Sequence, residues 1–244
     1  MSNPFEFSPN TGNADSQDNT VQPFPFRGGF EQKKISDDGE RAPVTDERRE
    51  KLNGMIRETA KLFDNSNITW AIDGGLSVSL LNGDFIGEHR DLDVALEESQ
   101  LERVQGLIET KGFGLFVTLN TERRETMVMK RVDSKEFATA DTYLFWIITV
   151  DQAGLIQKDK PLSFINVHII RRNEKGQPLN ENGEVLPETW FEPQAIRFQN
   201  QEIQVAHPAK TTYYKLLSLR NYDIKDLENL AKTKTLTTED METI

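Results

Sequence analysis

Apolar residues first settle into a regular period at Leu52, Met55, Ile56, Ala60, Leu62 and Phe63, which is helical spacing. Thr45 ahead of two acidic residues is a cap for that helix, and the polar run 64–67 ends it. A short apolar run over 68–72 predicts a strand, followed by Gly74-Gly75, a short helix over 76–81, and a stop at Asn82-Gly83. Alternation then predicts a strand over 91–96, with Leu92, Val94 and Leu96 on one face and Asp91 and Asp93 on the other. A helix over 98–110 comes next, ended by Gly112, and then β-rich runs over 113–119, 126–132, 143–150 and 162–170. The segments 173–178 and 180–183 read as turns, and 195–198 with 203–205 as a hairpin across Asn200. From Pro208 to about residue 230 the pattern is helical, with a last capped turn near Leu236 and Thr238.

This order predicts an α/β (α+β) chain, a mixed twisted sheet flanked by helices with a helical C-terminal segment. Three parts are expected: 1–45 as a disordered or extended arm, 46–206 as the main domain, and 207–244 as helices packing on it. In the arm, Phe24, Phe26 and Phe30 stand between breakers, which suits docking on the domain itself or on a second copy in a homo-oligomer.

The chain of 244 residues carries 40 acidic against 29 basic side chains, a net charge of −11, so a nucleic-acid partner is disfavoured. It has no cysteine, which removes disulfides and thiolate metal sites. No apolar run is long enough for a membrane helix, and residues 1–10 lack the pattern of a signal peptide, so a cytoplasmic location is expected.

The chemistry concentrates in 70–96. Two carboxylates on one strand face repel each other unless a cation lies between them, and hard oxygens at that spacing suit Mg²⁺. Gly74-Gly75, where a strand turns into a helix, would let backbone amides approach a phosphate, and Ser77 could add a hydroxyl. Asp-x-Asp on a solvated edge and a glycine pair in a plain turn are both common, so the order and spacing carry the reading.

Gly74-Gly75 followed by Glu88-His89-Arg90-Asp91-Leu92-Asp93 resembles the nucleotidyltransferase (polymerase-beta-like) superfamily, and most of all its lincosamide and aminoglycoside branch. The resemblance is tight over 70–97, looser over about 160–232, and does not reach 1–45. It implies the nucleotidyltransferase fold. It also implies transfer of a nucleoside monophosphate, AMP from ATP or another nucleoside triphosphate, to a hydroxyl of a small molecule such as an aminoglycoside or lincosamide. Asp91 and Asp93 would hold two Mg²⁺ ions. Gly74, Gly75, Ser77, Arg90 and a lysine of the C-terminal helix, Lys210 or Lys215, would hold the nucleotide, although both lysines also suit a solvated surface.

The resemblance also implies a third carboxylate in a segment of the form hydrophobic-Asp-hydrophobic-His. Here that segment is Ile165-Asn166-Val167-His168, with an amide where the acid belongs. An amide oxygen can ligate a metal but takes no proton. Three readings follow: an active enzyme with His168 as base or with Asp141 or Asp151 as the missing acid; a catalytically impaired nucleotide binder or toxin–antitoxin-type partner; or Asn166 as the relic of an aspartate. His168 also suits a satisfied core imidazole, and Trp146 and Trp190 either the core or an acceptor pocket. An incidental Asp-Leu-Asp on a plain scaffold would predict no Mg²⁺-dependent nucleotide affinity.

Overall fold

The computed structural model describes residues 21–24, 41–64, 66–89, 91–119, 127–138, 144–157 and 164–244. In chain order the elements are β1 (Val21–Phe24), α1 (Asp46–Phe63), β2 (Trp70–Ile72), α2 (Gly74–Leu81), β3 (Asp93–Glu97) and α3 (Leu101–Thr110). Then come β4 (Phe113–Thr118), β5 (Met127–Val132), α4 (Ser134–Ala138), β6 (Leu144–Thr149), β7 (Phe164–Arg172) and β8 (Pro178–Leu179). The chain ends with β9 (Gln194–Phe198), β10 (Gln201–Val205), α5 (Pro208–Ser218), α6 (Asn221–Thr233) and α7 (Thr238–Thr243).

The strands form one mixed sheet in the order β1-β5-β4-β6-β7-β3-β2-β10-β9, with β8 added to β7. The pairs β3–β7 and β2–β10 are parallel, and the other pairs along this order are antiparallel. The mixed α/β architecture expected from the sequence is the one observed.

Register sorts the side chains. Val94 lies opposite Val167, and Val167 opposite Phe145. That face is apolar and joins one core with Leu52, Met55 and Ile56 of α1 and Leu101, Val104 and Ile108 of α3. The periodic positions of both helices are therefore the ones buried. Thr45 caps α1 by accepting from the backbone N–H of Arg48, as expected. On the other face Asp93 lies opposite Asn166, and Asn166 opposite Trp146. That polar row runs between two smaller apolar clusters, Phe116, Met129, Trp146, Ile148 and Phe164 on one flank and Ala95, Ile170, Trp190, Phe191 and Ala209 on the other.

Four differences from the sequence reading have physical causes. Strand β3 starts at Asp93, so Asp91 lies just ahead of the strand rather than inside it. Val21–Phe24, within the expected arm, is an edge strand paired with β5, and the Gln22 side chain holds it by donating to the Gly154 carbonyl and accepting from the Ile156 N–H. The helix expected from Pro208 to 230 breaks at Leu219, whose φ is +43°. The Asp223 carboxylate draws the chain into a new cap by accepting from both the backbone and the guanidinium of Arg220. Finally, α4 follows β5 where no helix was expected. The hairpin across Asn200 is present, with Gln199 and Asn200 both at positive φ as a two-residue turn between antiparallel strands requires.

Candidate active site

The end of β2 passes into α2 through Asp73, the residue before the glycine pair. Asp73 occupies the N-cap position, yet its side chain makes no capping hydrogen bond. The carboxylate is turned instead to the polar face of the sheet, where Oδ2 accepts from Lys210 Nζ at 2.6 Å and meets His168 Nδ1 at 3.0 Å. Its backbone N–H donates to the Asp93 carbonyl at 2.8 Å, which ties the helix start to β3. Burial alone would raise the pKa of this carboxyl. The Lys210 charge and the hydrogen bond from His168 outweigh burial and hold it well below the usual carboxylate range. An ionised Asp73 therefore accepts the Nδ1 proton of His168 and leaves the other ring nitrogen, Nε2, toward Asn166 and Asp93, at 3.5 Å and 3.9 Å.

Asp93 shows the opposite balance. Burial and the neighbouring charge of Asp91 push its pKa up to about 6, against the opposing pull of His168 and of the hydrogen bond from Asn166. Asn166 Nδ2 donates to Asp93 Oδ1 at 2.8 Å, while its own Oδ1 is buried without a hydrogen-bond partner among the described residues. The His168 pKa is raised. Burial works against this, but the hydrogen bond to Asp73 and the charges of Asp93 and Asp73 prevail.

The glycine pair has a local reason to lack side chains. Gly74 has φ +62°, and a Cβ there would lie 2.2 Å from Oδ2 of Asp93. A Cβ on Gly75 would meet Arg41 Nη2 at 2.9 Å. The first glycine therefore gives room to the Asp93 carboxylate, and the second to an arginine ahead of α1.

The remaining expected residues separate clearly. Ser77 is fully buried, and its hydroxyl donates to the Gly74 carbonyl within the helix, so it is not presented to a ligand as expected. Of the two lysines, Lys210 reaches the site row, whereas Lys215 pairs with Asp223 and Asp226 and joins α5 to α6. Arg90 and Asp141 lie outside the described residues. Asp151 caps its own turn, its Oδ1 accepting from the N–H groups of Ala153 and Leu155. Trp190 is buried and donates Nε1 to Asp240 of α7, a packing role, and Trp146 packs on Phe164 beside the row.

Two residues went unread in the sequence. Asp73 carried a signal, an acid at a strand-to-helix junction, but the cap rule would have turned it toward the backbone rather than toward His168. Arg41 carried none, because its contact with Gly75 is purely tertiary.

Residues 55–144 match the aminoglycoside-2''-adenylyltransferase family model. The resemblance read from Gly74-Gly75 and Asp91-Leu92-Asp93 is thereby borne out over the segment that carries those residues. The chain is 22% identical over 177 residues to a lincosamide resistance protein of Staphylococcus haemolyticus, an alignment covering 69% of this chain and 89% of that one. A crystal structure of a lincosamide antibiotic adenylyltransferase with lincomycin bound is similar at 18% identity and TM-score 0.47, covering 79% of this chain and 99% of the other. The solution structure of the antibiotic-resistance factor ANT(2'')-Ia is similar at 10% identity and TM-score 0.48, covering 80% and 89%.

Among the described residues no helix is long and apolar enough to cross a membrane.

Proposed function

We propose that this protein is a nucleotidyltransferase that moves a nucleoside monophosphate, AMP from ATP, onto a hydroxyl of a small molecule of the lincosamide or aminoglycoside kind, breaking the α–β phosphoanhydride bond and releasing pyrophosphate. The observation that carries the reading is the Asp93 carboxylate, packed against Gly74 at the start of α2 and burdened by the charge of Asp91. The family match over 55–144 and the lincosamide resistance relative support the reaction class and the choice of acceptor.

The donor set fits Mg²⁺. Asp91 and Asp93 are like charges that a hard cation would relieve, and the buried Asn166 Oδ1 is an oxygen still lacking a partner. Among the described residues no three His, Asp or Glu side chains surround one point, so such an ion would complete its shell with water and phosphate oxygens. Asp91 and Asp93 would hold it, and the second ion of an expected pair would find the Asn166 amide in place of a third carboxylate. When bound, Mg²⁺ supplies charge neutralisation at the triphosphate and a lowered pKa for the acceptor hydroxyl.

The chain's own residues do the rest. Lys210 and His168 keep Asp73 ionised, and Asp73 fixes the imidazole through Nδ1. His168 Nε2, beside Asn166, is the atom that takes the hydroxyl proton. The helix start at Gly74 and Gly75 turns backbone amides to the phosphates.

Asn166 favours a second reading, a nucleotide binder with impaired chemistry. Incubation with labelled ATP, Mg²⁺ and a panel of lincosamides and aminoglycosides separates the two. The proposed enzyme transfers label as it stands, and Asn166→Asp raises the rate by roughly ten-fold or more through the added charge. Transfer by Asn166→Asp alone would contradict activity in the natural chain.

A further inference from the structure

Along the polar row of the sheet, the carboxylate oxygens turned toward β7 already have proton donors. Asp93 and Asn166 lie opposite each other in the parallel pair β3–β7. A carboxylate at 166 would face the Asp93 carboxylate, an arrangement that only positive charge holds together. The amide removes that need, since Nδ2 donates to Asp93 Oδ1 at 2.8 Å. Turned the other way, it would set its own oxygen against a carboxylate oxygen, so the charge of Asp93 fixes the N–H side. The two oxygens of Asp93 therefore differ. Oδ2 is turned to Gly74 at the start of α2, whereas Oδ1 is engaged on the β7 side.

Asp73 is committed in the same way. Its Oδ2 accepts from Lys210 Nζ at 2.6 Å and from His168 Nδ1 at 3.0 Å, and both Asp73 and Lys210 are buried. A dication beside Asn166 would thus meet one neutral oxygen, the Asn166 Oδ1, and a carboxylate oxygen that already accepts a hydrogen bond. The Lys210 ammonium, close enough for its charge to act on His168, would repel it. Among the described residues the other donor there is His168 Nε2, 3.5 Å from Asn166 Nδ2 and 3.9 Å from Asp93 Oδ1. Mg²⁺ takes oxygen ligands and leaves imidazole nitrogen to softer ions. A lone pair in that place suits a proton better than a hard cation. On the other side Asp91 adds its charge to Asp93, and one ion relieves both.

We propose that the site takes a single Mg²⁺, held by Asp91 and Asp93, and that the Asn166 amide and the His168 imidazole stand where a second ion would bind. This deepens the nucleotidyltransferase reading above and rests on it. The acceptor oxygen bonds to the α-phosphorus, the α–β phosphoanhydride bond breaks, pyrophosphate leaves, and the hydroxyl proton passes to His168 Nε2. Asp73, already bonded to Nδ1, faces the imidazolium that results.

Electron paramagnetic resonance of the full chain with α,β-methylene-ATP and increasing Mn²⁺ counts the ions without relying on turnover. The natural chain should hold one Mn²⁺ with the nucleotide, and its spectrum should show no coupling between neighbouring ions. Asn166→Asp, which places a carboxylate opposite Asp93, should take up about two, with a spectrum broadened by spin coupling. His168→Gln should still hold one, while transfer from ATP to a lincosamide or aminoglycoside falls on the order of 100-fold or more. Two coupled ions in the natural chain would overturn the single-ion site, whether or not the variants fold. A single ion in folded Asn166→Asp would overturn the part given to the amide, and undiminished transfer by His168→Gln the part given to the imidazole. Failure of Mn²⁺ and nucleotide to bind together would overturn the nucleotide reading and this inference with it.

Discussion

At the scale of single residues, Asp93 is a group the fold holds at a cost. Its carboxyl titrates at about 6, above the ordinary value, because burial and Asp91 disfavour its charge. A raised folded-state pKa contributes stability that is present below the unfolded value near 4 and lost as pH rises through about 6. Without added metal, Asp93→Asn should therefore match the natural chain in thermal stability near pH 4. Above pH 6 it should exceed it, by about 1–3 kcal/mol, while losing nucleotide transfer. A melting series across pH checks this, and a variant less stable than the natural chain at pH 7 would contradict it. Asp93 was legible in the sequence because alternation with Leu92 and Val94 set its face. Asp73 was not, because nothing local indicates that an N-cap acid will forgo its helix for His168 and Lys210.

Among elements, α5 is joined to α2 through a buried ion pair, with the Ser77 and Thr211 hydroxyls 3.4 Å apart beside it. Lys210 and Asp73 are each only 6% exposed, and removing Lys210 leaves the buried Asp73 charge to its hydrogen bond with His168. Lys210→Met should lower stability by about 3–5 kcal/mol in a denaturant titration, and the companion change Asp73→Asn should recover much of it. A loss under 1 kcal/mol would mean that the pair is solvated. Helices α1 and α3 could be read from their spacing because one face of each meets one sheet face. The break between α5 and α6 could not be, since it depends on Asp223 capping through Arg220 while also holding Lys215, a choice made by packing. β1 was hidden for a related reason. Four residues containing a proline show no period, and what fixes them is Gln22 bonding to a loop more than 130 residues away.

On the scale of the whole molecule, the sheet separates duties by face. One face joins α1 and α3 in the main core, and the other carries Asp93, Asn166 and His168 between two aromatic clusters. The overall negative charge sets the background, and Lys210, Lys215, Arg41 and Arg220 are each drawn to a named aspartate. What unites these parts is a carboxylate pair beside a helix start, an arrangement that should gain stability from a cation and a triphosphate together. Calorimetric titration of ATP into the natural chain, with and without Mg²⁺, and into Asp91→Asn and Asp93→Asn tests that most directly. Binding is expected to require Mg²⁺ and to be weakened at least roughly ten-fold by either substitution. ATP affinity that is indifferent to Mg²⁺, or intact in both variants, would contradict it.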